Sequence, residues 1–148
     1  MAFKQKIRQI KLVIFSLLAL AFLSSCSYCF DNQETLLTVE NQKNSNHGLP
    51  LYMLVKEVEK AEFLTDDYRG ITKEIFSPLK DSAYIFSDVT MPGDFYKVKF
   101  PHPDNNKLLG VYFLFTDPGE EWKFMIEPRA SRVDVLIGEN EIKRIRSH

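Results

Sequence analysis

From Thr35 onward, Pro, Gly, Asn and Asp cut the chain into apolar runs of five to eight residues. Runs of that length, bounded by turn residues and rich in Val, Ile, Leu, Tyr and Phe, read as β-strands. They cover Thr35–Val39, Leu51–Val58, Ala83–Val89, Phe95–Phe100, Leu108–Phe115, Trp122–Ile126 and Val133–Ile137. Leu51–Val58 begins as an unbroken apolar run, the pattern of a strand buried on both faces. Phe95–Phe100 partly alternates with lysine, as a half-exposed strand does. Met91-Pro92-Gly93-Asp94 places Pro and Gly at the two central positions of a type II turn. Seven strands with regular turns predict a mainly β, two-sheet sandwich. One segment breaks the pattern. Phe63, Leu64, Asp67, Tyr68 and Ile71 repeat at helical spacing. The spacing predicts a helical insertion at about 61–78, with Thr65 as a cap and Asp66 and Asp67 near its positive end. Gly70 is expected to split it, leaving a second short helix over Thr72–Phe76 before Pro78.

The first 25 residues are of another kind. Lys4, Lys6, Arg8 and Lys11 precede an apolar run from Leu12 to Leu23. Twelve helical residues reach about 18 Å, against a hydrocarbon layer of about 30 Å. The run suits a signal peptide better than a permanent span. It ends in Leu23-Ser24-Ser25-Cys26, an aliphatic residue, two small residues and a cysteine, which fits the bacterial lipobox. The small residues suit the pocket of the cleaving peptidase, and the Cys26 thiol is the expected lipidation site. Stable anchoring takes two acyl chains. An ordinary secretory signal beside a chance cysteine is the competing reading. Cys29 follows Tyr28, a poor cleavage neighbour, and is expected to be an incidental thiol. The expected organisation is a signal peptide over 1–25, a lipidated tether over 26–33 and the sandwich over 34–148. Ser27 replaces the Asp that retains lipoproteins at the inner membrane of enteric-type bacteria, so the outer membrane is the expected address.

Without the leader, 15 Lys and Arg face 20 Asp and Glu. An acidic body argues against binding a nucleic-acid backbone. A hydrophobic content of 45% with 12 Phe argues against disorder. Two cysteines in one short stretch exclude a disulfide scaffold and a four-thiolate zinc site. His47 and His102 sit in polar segments, and no histidine, His148 included, stands at metal-ligand spacing from another ligand. No serine lies in a nucleophile elbow, and no glycine-rich loop could hold a phosphate. Trp122 reads as a core residue, with a sugar platform as the alternative. The expectation is a protein that is no enzyme and carries no cofactor beyond the lipid on Cys26.

Several features in order resemble TssJ, the outer-membrane lipoprotein family of the bacterial type VI secretion system. They are the lipobox, Asn41 with a polar loop, Gly48-Leu49-Pro50 opening an apolar strand, and Phe63 with Asp67-Tyr68. Pro92-Gly93, Leu109-Gly110-Val111 and Trp122-Lys123 follow. The tract Asn41–His47 is richer in Asn and Lys than the family, Lys123 replaces its usual Arg, and Val111-Tyr112-Phe113 is bulkier. The resemblance implies a transthyretin-like sandwich with a small helical addition. It also implies a periplasm-facing subunit that binds the periplasmic domain of the inner-membrane protein TssM, and through it TssL, in a multi-copy complex. In the family the first inter-strand loop carries that contact. Here it maps onto Asn41, Gln42, Lys43, Asn44, Ser45, Asn46, His47, Gly48, Leu49 and Pro50. A solvated connection without a partner is the bland alternative for this loop. A lipid-anchored module for sugar or peptidoglycan and a hydrolase inhibitor are the rival functions.

Overall fold

The structure is a computed structural model, and it describes residues 34–77, 83–103, 107–128 and 130–148. The leader, Cys26 and Cys29 lie outside them. Eight strands form two four-stranded sheets. In chain order they are β1 (Glu34–Asn41), β2 (Leu51–Val58), β3 (Tyr84–Thr90), β4 (Phe95–Pro101), β5 (Leu108–Leu114), β6 (Lys123–Ile126), β7 (Arg132–Ile137) and β8 (Ile142–Ser147). The first sheet runs β4-β1-β7-β8 and the second β3-β2-β5-β6. All pairs are antiparallel except β1 with β7.

The expected sandwich is therefore found, with eight strands rather than seven. The missed strand, β8, reads Ile-Lys-Arg-Ile-Arg-Ser and looks like a basic tail. It lies at a sheet edge, where cationic side chains discourage further pairing. Its apolar share is small because Ile142 is its only buried residue.

Alternation explains the core. Leu37 and Val39 of β1, Val133, Val135 and Ile137 of β7, Met53 and Val55 of β2, and Val111 and Phe113 of β5 meet between the sheets. Phe113 and Phe124 stack there at 6.5 Å. Each fully buried side chain of this size contributes roughly 1.5–3 kcal/mol. β2 and β5 also bury their other face. Leu54, Val58, Tyr112 and Leu114 form a second cluster with Phe63 and Ile71 of the helices. Two covered faces are the reason these strands read as continuous apolar runs.

The helical insertion is two helices, α1 (Lys60–Thr65) and α2 (Tyr68–Ile75). The break falls at Asp66-Asp67, not at Gly70. Asp67 has extended backbone and its carboxylate accepts from Gly70 N–H at 2.7 Å, so Asp67 is the cap of α2. Thr65 does not cap it. Its hydroxyl donates back to the carbonyls of Ala61 and Glu62 at the end of α1. An aspartate is at least as good a cap as threonine, and the Gly70 N–H lies at its N3 position. Helices this short are not stable alone, so packing on the second sheet holds them.

Candidate functional site

The connection from β1 to β2 lies at one end of the sandwich and is built, not loose. Ser45 N–H donates to Gln42 O at 2.9 Å. Asn46, His47 and Gly48 then follow with φ of 47°, 55° and 80°. Three successive left-handed residues make a tight reversal. Glycine and asparagine tolerate it well, and a histidine is less common there.

The Asn46 side chain holds this strained turn in place. Its Nδ2 donates to Pro50 O at 2.6 Å and its Oδ1 accepts from Thr116 N–H at 2.6 Å, beyond the end of β5. Asn41 does the same at the loop's entrance. Its Nδ2 donates to Thr90 Oγ1 at 2.7 Å and Met91 O at 3.1 Å. Its backbone carbonyl accepts from Gly93 N–H, in a turn whose Gly93 has the positive φ of 84° that a type II turn needs. Gln42 N–H reaches Ile137 O at 3.1 Å, and His47 Nδ1 lies 3.3 Å from Glu139. Segments near 46, 92, 116 and 139 thus brace one rim.

The ten loop residues therefore divide by job. Asn41, Ser45 and Asn46 are buried, and Asn41 and Asn46 spend their side chains inside. Gln42, Lys43, Asn44, His47, Gly48, Leu49 and Pro50 are exposed. Leu49 is 47% exposed, Met91 47% and Phe95 59%, so the rim also carries apolar surface. Sequence reading missed Met91, Phe95 and Glu139 as its neighbours, because only the tertiary fold brings them there.

A second polar cluster lies between the helices and the second sheet. Lys56 is 3% exposed in the midst of β2. Its ammonium lies 3.2 Å from Glu62, 3.7 Å from Asp66 and 3.4 Å from Glu74. Burial pulls its pKa down, but the attraction of Asp66, Glu62 and Glu74 outweighs that and holds it above the ordinary lysine value. Tyr112 donates to Asp66 at 2.5 Å, and burial first, then Asp66, pushes its phenol up. Lys123 donates to the carbonyls of Phe63 and Asp66 at 2.5 and 2.7 Å. Asp66 is thus a clamp between helix and sheet rather than a helix-start charge. The signal was the lone lysine in an apolar run. These groups are committed to one another, which suits joining elements more than chemistry.

The remaining candidates take quieter places. His102 Nε2 lies 3.4 Å from Thr35 Oγ1, and His148 Nε2 lies 3.4 Å from Asp134. Among the described residues, no three His, Cys, Asp or Glu could hold a metal ion, and no helix is long and apolar enough to cross a membrane. Trp122 is half-buried. Tyr68 meets it edge-on at 5.0 Å, and the Lys123 ammonium lies over its ring at 5.2 Å.

Comparison with known proteins follows the same lines. The fold is similar to the type VI secretion lipoprotein TssJ1 from Pseudomonas aeruginosa, at 19% identity and a TM-score of 0.63, over 79% of this chain and 97% of that one. It is also similar to Serratia marcescens Lip, a membrane-bound component of the type VI secretion system, at 16% identity and 0.60, over 79% and 96%. A structure described as the TssM C-terminal domain (869–1107) from EAEC contains a chain that matches at 17% identity and 0.58, over 74% and 95%. The TssJ-like fold expected from the sequence is thus borne out. No curated protein matches the chain. The family described as IglE, N-terminal domain, matches residues 52–137, from the exposed Tyr52 of β2 to the end of β7. That stretch is more than half of the 148 residues, and the chain belongs to this family.

Proposed function

We propose that the chain is a lipid-anchored, non-enzymatic subunit of a type VI secretion membrane complex. It is acylated at Cys26 and held at the periplasmic face of the outer membrane. Its β1–β2 rim grips the periplasmic domain of a TssM-like inner-membrane protein, and through it TssL, in several copies.

The observation that carries this reading is the polarity of β1. The strand begins at Glu34, on the side of the tether, and ends at Asn41, where the loop starts. Eight residues of strand span about 26 Å. A rigid strand thus puts Glu34 and the braced rim at opposite ends of the sandwich, and Cys26 precedes Glu34 by eight residues in the sequence. Strain kept in an ordered loop, here at Asn46 and His47, is common where a surface must be held ready for a partner.

The comparisons support the reading in kind. Two of the similar folds are type VI secretion lipoproteins. The chain matched in the TssM structure is 95% covered by 74% of this one. It is therefore shorter than 148 residues and well short of the fragment 869–1107, as a separate small subunit beside it would be. A sugar platform at Trp122 gains nothing from the structure, since Lys123 occupies one face of the indole.

The test is co-purification of the full chain, in detergent, with the periplasmic domain of a TssM-like protein from the same cell. Deleting the loop would unseat Asn46, so the variant should be Lys43→Glu with Leu49→Glu, both exposed. Binding is expected to weaken at least tenfold, about 1.4 kcal/mol, with Trp122 fluorescence unchanged. Equal binding by the variant would sink the rim assignment. No complex with the wild-type chain would sink the partner.

A further inference from the structure

The outer face of the first sheet is basic although the body is acidic. Lys97 and Lys99 of β4, Arg132 of β7, and Arg144 and Arg146 of β8 share it with Glu34 and Glu40 of β1 and Asp134 of β7. Five cations thus face three acids, where the body as a whole carries an excess of acid. Register explains the clustering. Thr38, Asp134 and Arg146 are adjacent across three strands, and so are Glu40, Leu136 and Arg144 one step along.

The side chains enclose a cleft of about 190 Å³, lined by Thr38, Arg132, Asp134, Arg144 and Arg146, with Glu40 at its rim-side wall. Asp134 is already neutralised. Arg132 Nε donates to it at 2.9 Å and His148 lies 3.4 Å away. Its carboxyl lies below the usual carboxylate range. Burial works against that, but the Arg132 hydrogen bond and the charges of Arg132 and His148 outweigh it. Arg132 spends Nε there and keeps its two terminal amino groups for another acceptor. Arg144 and Arg146 make no ion pair among the described residues. Arginine forks match the oxygens of phosphate, and three arginines against Asp134 and Glu40 leave the cleft net positive.

We propose that the cleft between Arg132, Arg144 and Arg146 binds a phosphate-bearing group. The proposal stands on this geometry and does not need the rim to bind TssM. Two sources offer the same chemistry, a phospholipid headgroup and free phosphate. The tether bears on the first. Glu34 lies eight residues past Cys26, a reach of at most about 28 Å.

The test uses the full chain in neutral detergent and reads amide exchange in residues 132–137 and 142–147. Inorganic phosphate is titrated with ionic strength fixed by sodium chloride. Exchange is expected to slow at least threefold, and an Arg144→Gln, Arg146→Gln variant should lose the effect. Trp122 fluorescence reports whether that variant folds, and Arg146→Gln alone replaces it if it does not. Nanodiscs of phosphatidylglycerol and of phosphatidylcholine separate the sources. Slowing by phosphate and by phosphatidylglycerol over phosphatidylcholine supports a headgroup. Slowing by phosphate with the two nanodiscs equal supports free phosphate. No slowing by phosphate or phosphatidylglycerol overturns the site, and so does slowing that sodium chloride reproduces or that the variant retains.

Discussion

The two ends of β2 solve one problem in opposite ways. Near Leu51 the protein buries neutral amides, Asn41 and Asn46, and gives each specific backbone or hydroxyl partners. Toward Val58 it buries a charge, Lys56, and surrounds it with three carboxylates. A buried amide costs little where it is bonded, as at Asn46 and at Asn41 Nδ2, and it fixes the local backbone. A buried charge must be matched by opposite charge brought from elsewhere. Here that charge arrives on Glu62, Asp66 and Glu74, so the lysine ties both helices to the sheet. The neutral device suits a rim that must keep one shape while facing solvent. The charged device suits elements too short to hold themselves.

The largest expected effect tests the charged end. Lys56→Met removes the ammonium that lies against Glu62, Asp66 and Glu74. Breaking a buried pair by removing one partner costs about 3–5 kcal/mol. Urea unfolding should show that loss. Adding Asp66→Asn and Glu74→Gln to Lys56→Met should restore much of it, because only the half-exposed Glu62 is then left charged. A loss below about 1 kcal/mol would mean that Lys56 acts as an ordinary surface ion pair and that the helices are held by Phe63 and Ile71 alone.

The neutral end should respond less. Asn46→Ala removes the donor to Pro50 O and orphans the Thr116 N–H. Thr116 is exposed, so water can take over part of that bond and the cost is about 1 kcal/mol. Asn46→Gly separates the two causes, since glycine adopts the φ of 47° freely but supplies no hydrogen bond. Both variants should speed amide exchange at Thr116. If the glycine variant matches wild type in urea, the asparagine is there for its backbone and the side-chain bonds are incidental.

These two ends also differ in how far the sequence revealed them. Strand alternation and the Pro92-Gly93 turn are local signals, and the sandwich followed from them. The β1–β2 loop was legible as a loop, with Asn and Gly at positions that favour left-handed backbone. Its inside and outside were not, since Asn46 is buried only because Thr116 arrives from a strand end 70 residues away. Asp66 and Asp67 look alike in sequence. One caps a helix and the other clamps a lysine, because Lys56 and Tyr112 lie beside one and not the other. β8 was missed because an edge strand has little apolar residue to show. The cleft of Arg132, Arg144 and Arg146 was invisible for the same nonlocal reason, being made by register across three strands.

The smallest effect sharpens the comparison through pH. The helix side holds groups whose pKa values are raised. Burial pushes Tyr68 up to about 12, and its hydroxyl donates to the Phe115 carbonyl. Tyr112 and Lys56 are raised as well. A raised folded-state pKa means that the folded chain keeps a proton that the unfolded chain has released. That stability is fully present below pH 10, the unfolded value of tyrosine, and is lost as pH rises toward the folded value. Unfolding midpoints should therefore fall between pH 10 and 11, by about 1 kcal/mol for Tyr68. Tyr68→Phe removes that share, because phenylalanine has no proton to lose in either state. The Lys43→Glu, Leu49→Glu rim variant should keep the wild-type slope, since neither substitution touches Tyr68, Tyr112 or Lys56. Equal slopes in Tyr68→Phe and wild type would show that Tyr68 titrates freely in the folded chain. The alkaline loss would then belong to the other raised groups, Lys56, Tyr112 and Tyr96.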